Sequence, residues 1–263
     1  MNLIFIGDVV GRGGREAVKK LVPELRREFN AQFVVVNAEN SAAGAGLTAS
    51  CAADLLTAAD VLTAGDHVWD QRGFDSEIAR LDRVIRPANL HAKQPGRGWG
   101  VFRNPAGGEV AVISLLGKVF MRDSAYCPFE TVDRILEKEL PRSVKTVLVD
   151  FHAEATSEKL AMGYFLDGRA TAVLGTHTHV PTADAVILAG GTARQTDVGM
   201  AGAARSVLGR EVEAVLYKFT TGLPNRLPVV ERGAIRVDGA VVTYDPVTGR
   251  ASAIRSFSRE VEI

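Results

Sequence analysis

Five short apolar runs in this chain share one design: a few β-branched or aliphatic residues that stop abruptly at a polar cluster. Leu3–Ile6 runs into Gly7-Asp8, and Phe33–Val36 into Asn37-Ala38-Glu39-Asn40. Val61–Leu62 precedes Gly65-Asp66-His67, Val147–Val149 precedes Asp150-Phe151-His152, and Ala172–Leu174 precedes Gly175-Thr176-His177-Thr178-His179. A strand with one wet face alternates apolar and polar residues, whereas runs this short and continuous suit strands covered on both faces. Between them, Ala17, Val18, Leu21, Val22 and Leu25 recur at helical spacing over residues 14–28. A second helix is expected over residues 48–59, with Thr48 as its N-cap and Cys51, Ala52, Leu55 and Leu56 on its apolar face. Strand–loop–helix alternation predicts an α/β architecture, in which ligands sit beyond the carboxyl ends of the strands. Every polar cluster falls there, so the pattern gathers them on one rim.

The carboxy-terminal part reads differently. Residues 234–244 and 250–258 alternate around Asp245-Pro246-Val247-Thr248-Gly249, which predicts antiparallel strands joined by a turn, forming a second, antiparallel-edged sheet. Gln94-Pro95-Gly96-Arg97-Gly98 reads as a surface loop, and with no low-complexity linker or long repeat, residues 1–263 are expected to form a single domain. Lysines plus arginines equal aspartates plus glutamates at 31 each, so no net field draws in nucleic acid or membrane. Any anionic ligand must be captured by a local site. Cys51 and Cys127 make no disulfide framework, and MNLIFIGDVV lacks a basic leader region and is interrupted by Asp8. No apolar stretch approaches spanning length, so a soluble, cytoplasmic protein with no membrane partner is expected.

Four of the five histidines (His67, His152, His177, His179) follow strand-like runs, and Asp8, Glu39 and Asp66 occupy equivalent places. A lone histidine at a strand end is more often a hydrogen-bonded structural residue than a ligand. Seven ionisable side chains on one rim are another matter, because they are costly without cations to neutralise them. Carboxylates and imidazoles with no candidate thiolate suit manganese, iron or zinc better than copper, calcium or magnesium. Three carboxylates and at least three imidazoles exceed the needs of one tetrahedral ion. Two ions about 3.5–4 Å apart, sharing a carboxylate, would clamp the attacking and leaving oxygens of a phosphoryl displacement.

These residues resemble the ordered motifs of the calcineurin-like metallophosphoesterases. More narrowly, the chain is similar to the YmdB-type family of bacterial metallophosphoesterases. The likeness runs through Gly7-Asp8-Val9-Val10-Gly11, Ala38-Glu39-Asn40, Thr156-Ser157-Glu158-Lys159, Leu166-Asp167-Gly168-Arg169, Thr196-Asp197-Val198-Gly199-Met200 and Ser206-Val207-Leu208-Gly209. It covers residues 3 to about 210 and is less distinctive in the tail. The resemblance implies a four-layer α/β/β/α sandwich of two mixed sheets. It implies that Asp8, Asn40 and His179 hold a first metal, that Glu39 bridges, and that Asp66, His152 and His177 complete a second. His67 would stand free and protonate the leaving oxygen, and a metal-bound hydroxide would be the nucleophile. The implied activity is hydrolysis of phosphodiesters such as 2′,3′-cyclic nucleotides. Iron and/or manganese would be the metals, with zinc as the alternative; a homo-oligomer is compatible. One position departs from the family pattern, since Asp66 stands where an asparagine is usual. Counted formally over two divalent ions, Asp8, Glu39 and a bridging hydroxide, the site has one positive charge with asparagine and none with Asp66. That implies a ferric–divalent pair or a slower enzyme.

Other signals are weaker. Gly11-Arg12-Gly13-Gly14-Arg15 lacks a glycine where Glu16 sits, so a dinucleotide fingerprint fails, and neither a P-loop nor Gly-x-Ser-x-Gly occurs. Its glycines are expected to let backbone pass close to the metals, and Arg12 to be solvated or to meet a phosphate. Thr178 and Ser41 are expected to make loop hydrogen bonds, His91 to be structural, and Asp150 and Glu154 to orient imidazoles or pair at the surface. Two other functions compete: a phosphomonoesterase or phosphoprotein phosphatase, and a metal-binding regulatory protein with low turnover.

Overall fold

A computed structural model describes residues 1–121 and 125–263. The chain first lays down β1 (Asn2–Ile6), β2 (Asp8–Val9), β3 (Phe33–Asn37), β4 (Val61–Thr63) and β5 (Val84–Ile85) in one sheet. A second sheet follows from β6 (Trp99–Arg103), β7 (Glu109–Leu116), β8 (Thr146–His152), β9 (Ala172–Thr176), β10 (Val186–Ile187) and β11 (Ala193–Gln195). The chain then returns to the first sheet with β12 (Met200–Ala203), β13 (Ala234–Tyr244) and β14 (Ala251–Glu262). Helices α1 (Gly11–Glu28), α2 (Ala49–Leu55) and α3 (Phe74–Glu77) fall among the early strands. α4 (Pro128–Arg134) and α5 (Thr156–Phe165) accompany the second sheet, and α6 (Val212–Thr221) lies between β12 and β13.

Both sheets are mixed. In the first, β1, β3, β4 and β5 run parallel while β13 pairs antiparallel with β1, β12 and β14. In the second, β7, β8, β9 and β11 run parallel between antiparallel edges β6 and β10. Side chains alternate between the two faces of a strand, and here each face meets a different apolar layer. Leu3, Phe5, Phe33 and Val35 pack with Val110, Val112, Leu148 and Leu174 between the sheets. Ile4, Ile6, Val34 and Val36 face Ala17, Val18 and Leu21 of α1, and Val147, Val149 and Val173 face Val132 and Met162 of α4 and α5. The result is the four-layer α/β/β/α sandwich expected from the family resemblance, and it explains why the strand runs have no polar alternation.

Thr48 caps α2 as read from the sequence, its Oγ1 accepting from the Cys51 backbone N–H at 3.1 Å. Two expectations are corrected. Residues 234–258 do form antiparallel strands, but they do not make a second sheet. β13 runs along the free edge of β1, from Asn2 opposite Thr243 to Ile6 opposite Gly239. That edge carries backbone donors and acceptors that must be satisfied once buried, and alternation alone could not say which strand would satisfy them. Gly13 and Gly14 also serve a different neighbour. A Cβ on Gly14 would stand 2.2 Å from the Ala201 carbonyl oxygen and one on Gly13 2.6 Å from that of Glu231, so these two approach the chain around β12 and residue 231, while Gly11 alone reaches the rim, its N–H donating to the Asn40 carbonyl at 3.0 Å. No described helix is long and apolar enough to cross a membrane.

Candidate active site

The carboxyl ends of β1, β3 and β4 in one sheet meet those of β8 and β9 in the other, and the polar clusters converge there. Asp8, Glu39, Asn40, Asp66 and His152 are all buried. His152 is the hub. Its Nε2 lies 3.0 Å from Asp66 Oδ1, 3.1 Å from Glu39 Oε1 and 3.0 Å from His177 Nδ1. Glu39, Asp66, His152 and His177 each offer a ligand atom within 4.8 Å of the others, a group that could hold a metal ion. Beside it, His179 Nε2 lies 3.3 Å from Asn40 Nδ2 and 4.0 Å from Asp8 Oδ1. Glu39 touches both groups, accepting from Asn40 Nδ2 at 2.9 Å.

Two atoms argue that this set is built for cations. Asp8 Oδ1 and His179 Nδ1 are buried without a hydrogen-bond partner among the described residues, a costly state unless an ion answers the carboxylate. Burial pushes the Asp8 carboxyl up from 3.8 to about 7, with Glu39 and Asp197 adding to the shift against His152. His179 is pushed down to about 4 by burial, which leaves it a neutral imidazole able to ligate. His152 is burdened by burial in the opposite sense, but the carboxylates of Glu39, Asp66 and Asp8 hold its proton well above the ordinary value. Oxygen and nitrogen donors at these separations could hold metal ions.

The donors are oriented from behind. Thr176 Oγ1 donates to Asp150 Oδ1 at 2.7 Å and stands 2.8 Å from His152 Nδ1. A hydroxyl with its one proton committed to Asp150 must accept from Nδ1–H, so Nε2 is the nitrogen of His152 that faces the cluster, the one whose proton an ion would displace. Asp150 also accepts from Thr63 Oγ1 at 2.6 Å and Asn37 Nδ2 at 3.0 Å. Glu154 Oε2 sits 3.2 Å from His177 Nε2, which likewise turns Nδ1 inward. Both acids therefore orient imidazoles. His177 and His179 occupy positive φ, 101° and 63°, where side-chain-bearing residues are strained. The turn between them is held by Asp197, whose Oδ2 accepts from the Thr178 N–H at 3.0 Å, its hydroxyl at 2.8 Å and Lys159 Nζ at 2.9 Å. Gly65 passes so close that a Cβ would lie 2.2 Å from Glu39 Oε2.

All seven sequence-predicted donors come together, and His67 sits at the rim with Nδ1 2.7 Å from Asp70 Oδ2. Burial alone would lower its pKa, but Glu39, Asp66 and Asp70 outweigh it and raise the net value. Thr178 makes the loop hydrogen bond expected of it. The Ser41 hydroxyl makes none among the described residues, so that expectation is corrected: the loop buries it without an acceptor in reach. Arg12 is an exposed residue within 3.7 Å of Glu16 and Glu231, and His91 lines a separate hollow with Trp69. Sequence reasoning assigned no role to the Lys159–Asp197 pair. Its members, 38 residues apart, stand in stretches quoted only for their family likeness, and nothing local in either signals a buried partner.

Clustered acids and imidazoles at the strand ends of a four-layer sandwich define the scaffold of a metallophosphoesterase. A calcineurin-like phosphoesterase of Bacillus subtilis, YfkN, shares this fold at 11% identity with a TM-score of 0.52, over 100% of this chain and 90% of that one. The chain belongs to the YmdB-like protein family, whose model matches residues 4–257. It is 42% identical to a 2′,3′-cyclic-nucleotide 2′-phosphodiesterase of Bacillus subtilis strain 168, over 97% of this chain and 95% of that relative. A solved phosphatase from Mycoplasma pneumoniae superposes with a TM-score of 0.90 at 32% identity, covering 100% of this chain and 94% of that one.

Two predictions rest on this geometry. In chelator-treated protein, groups with raised folded-state values bind protons more tightly folded than unfolded, so their contribution is present at low pH and lost as pH rises. His67 and His152 act in this sense above 6.5, and Asp8 between 3.8 and about 7. Denaturant midpoints of metal-free protein should therefore fall from pH 6.5 to 7.5, and metal should flatten the slope; equal slopes with and without metal would refute this. Asp197→Asn should cost about 3–5 kcal/mol by stranding the Lys159 ammonium in the interior, read by chemical denaturation against wild type.

Proposed function

We propose that this chain is a dinuclear-metal phosphodiesterase acting on small phosphodiesters such as 2′,3′-cyclic nucleotides, with residues 1–263 working as one cytoplasmic domain. The observation that carries the reading is the position of Glu39, whose carboxylate touches two donor groups in the lining of a single cleft. In this reading Asp8, Asn40 and His179 would hold one ion and Asp66, His152 and His177 the other, with the Glu39 carboxylate available to both. The donor set favours iron or manganese, with zinc as the alternative. Two such ions would supply Lewis acidity toward the phosphate and lower the pKa of water toward neutrality. The activity named for the Bacillus subtilis relative supports the choice of substrate.

His67 contributes the proton. Its Nδ1 is engaged by Asp70, and the carboxylates of Glu39 and Asp66 keep the ring protonated beyond the ordinary range, so Nε2–H is available to the departing oxygen. Glu154 and the Asp150–Thr176 pair keep the ligating nitrogens of His177 and His152 turned toward the ions. A second reading, phosphomonoester hydrolysis, is favoured by the phosphatase name of the Mycoplasma pneumoniae relative.

Metal-loaded protein should hydrolyse 2′,3′-cyclic AMP faster than p-nitrophenyl phosphate; the reverse order would favour the second reading. His67→Ala should lower kcat on the cyclic nucleotide by about 10²–10⁴ with metal content unchanged, the range for loss of a general acid. Asp66→Asn should make the cleft more electropositive and lower KM several-fold, on the order of 1 kcal/mol of added attraction for the anion. Unchanged kinetics and metal content in that variant would remove Asp66 as a determinant of rate.

A further inference from the structure

The cleft that holds the donor cluster, about 470 Å³ in volume, has a second wall that takes no part in the chemistry above. It is built by the excursion between β12 and β13 and presents Val207, Leu208, Val215, Phe219 and Leu227 across from Glu39, His67 and His177. Phe219 is 76% exposed, although it stands on a helix with only one buried residue, Val215. Leu208 is stranger. Val207 and Arg210 exchange backbone hydrogen bonds of 2.9 Å in both directions, which makes Leu208 and Gly209 the centre of a two-residue turn. Their φ values, 52° and 86°, are both left-handed. Such turns favour Asn-Gly or Gly-Gly, because a leucine there is strained, and here the leucine is also 43% exposed. An apolar side chain held at such cost, in water, on the lip of a catalytic cleft, is poised for a ligand.

The wall is fastened to the metal-bearing side. Arg210 donates from Nη1 to the Leu227 carbonyl at 3.0 Å and from Nη2 to the Gly44 carbonyl in the loop following Asn40. It has no carboxylate partner among the described residues. Its guanidinium therefore fixes the distance between wall and donors, and its charge stays uncompensated beside the place where an anion would sit.

Resting on the phosphodiesterase reading above, we infer that this wall is the nucleobase subsite of the enzyme. The phosphodiester meets the donor cluster, and the base lies flat on Phe219 and is edged by Leu208 and Leu227. Apart from Arg210, which is engaged with backbone carbonyls, the wall carries no hydrogen-bonding side chain among the described residues to read a base edge. The subsite therefore accepts all four bases and prefers purines by stacking area, as sequence-tolerant aromatic platforms do.

The test compares 2′,3′-cyclic AMP with a base-free cyclic phosphodiester, glycerol 1,2-cyclic phosphate, on the metal-loaded protein. In Phe219→Ala the ratio of kcat/KM for the nucleotide over the base-free ester should fall about tenfold, carried by KM, the scale of one lost base–aromatic stack. Leu208→Gly, which relieves the strained turn, should lower the same ratio while raising stability. Calorimetry adds a readout free of turnover: adenosine 3′-monophosphate should bind wild type about tenfold more tightly than inorganic phosphate, and Phe219→Ala should erase the difference. Ratios equal to wild type in both variants would overturn the subsite, as would equal losses on both substrates with a change in oligomeric mass. Preferential nucleotide binding by a wild type that hydrolyses neither ester would uphold the subsite and overturn the phosphodiesterase reading instead.

Discussion

The burial of like charges at the seam between two sheets is the constraint on which the rest of this structure depends. Asp8, Glu39 and Asp66 would repel one another in a dry site, and His152 is the group that holds them together in the protein itself. Its Nε2 faces Glu39 and Asp66 at 3.0–3.1 Å, and its retained proton offsets part of their charge. The offset is incomplete. Asp8 keeps one oxygen with no hydrogen-bond partner among the described residues and a carboxyl pushed up by burial. A cation is the natural completion, because the alternative is a standing desolvation penalty with nothing to repay it.

A site of this kind needs donors that do not move, and the fold supplies a rigid backing for them. Asp150, Thr63, Thr176 and Asn37 form a closed set of hydrogen bonds beneath His152, spanning strands of both sheets. Lys159 and Asp197 do the same for the strained turn of His177 and His179. The two devices differ in kind. The first fixes which nitrogen of an imidazole is free; the second holds backbone that an unsupported chain would relax. The opposite wall of the cleft repeats the second device at Leu208, with Arg210 as its fastening.

Adjacent in space, these groups are scattered in sequence, and that scatter explains what could be read without the fold. Strand-like runs ending in Asp8, Glu39, Asp66, His152 and His177 were legible because a strand's last residues are set by the run itself. The order of the motifs was distinctive enough to carry the family likeness. Long-range pairs were not legible: Lys159 with Asp197, Asp150 with Asn37, and β13 with β1 each join segments whose local patterns are ordinary.

By itself, then, the sequence determined the donor types, their places at strand ends, the absence of polar alternation in the runs, and the Thr48 cap. Each follows from residues within a few positions of one another. Only the tertiary structure decided which of the five clusters each sheet carries at the seam, and that β13 and β14 extend the first sheet. It also decided that Gly13 and Gly14 let the chain pass close to Glu231 and β12, and that an exposed leucine in a left-handed turn faces the donors. Those outcomes depend on which buried edges and charges must be satisfied once the layers close, a question that arises only between distant parts of the chain.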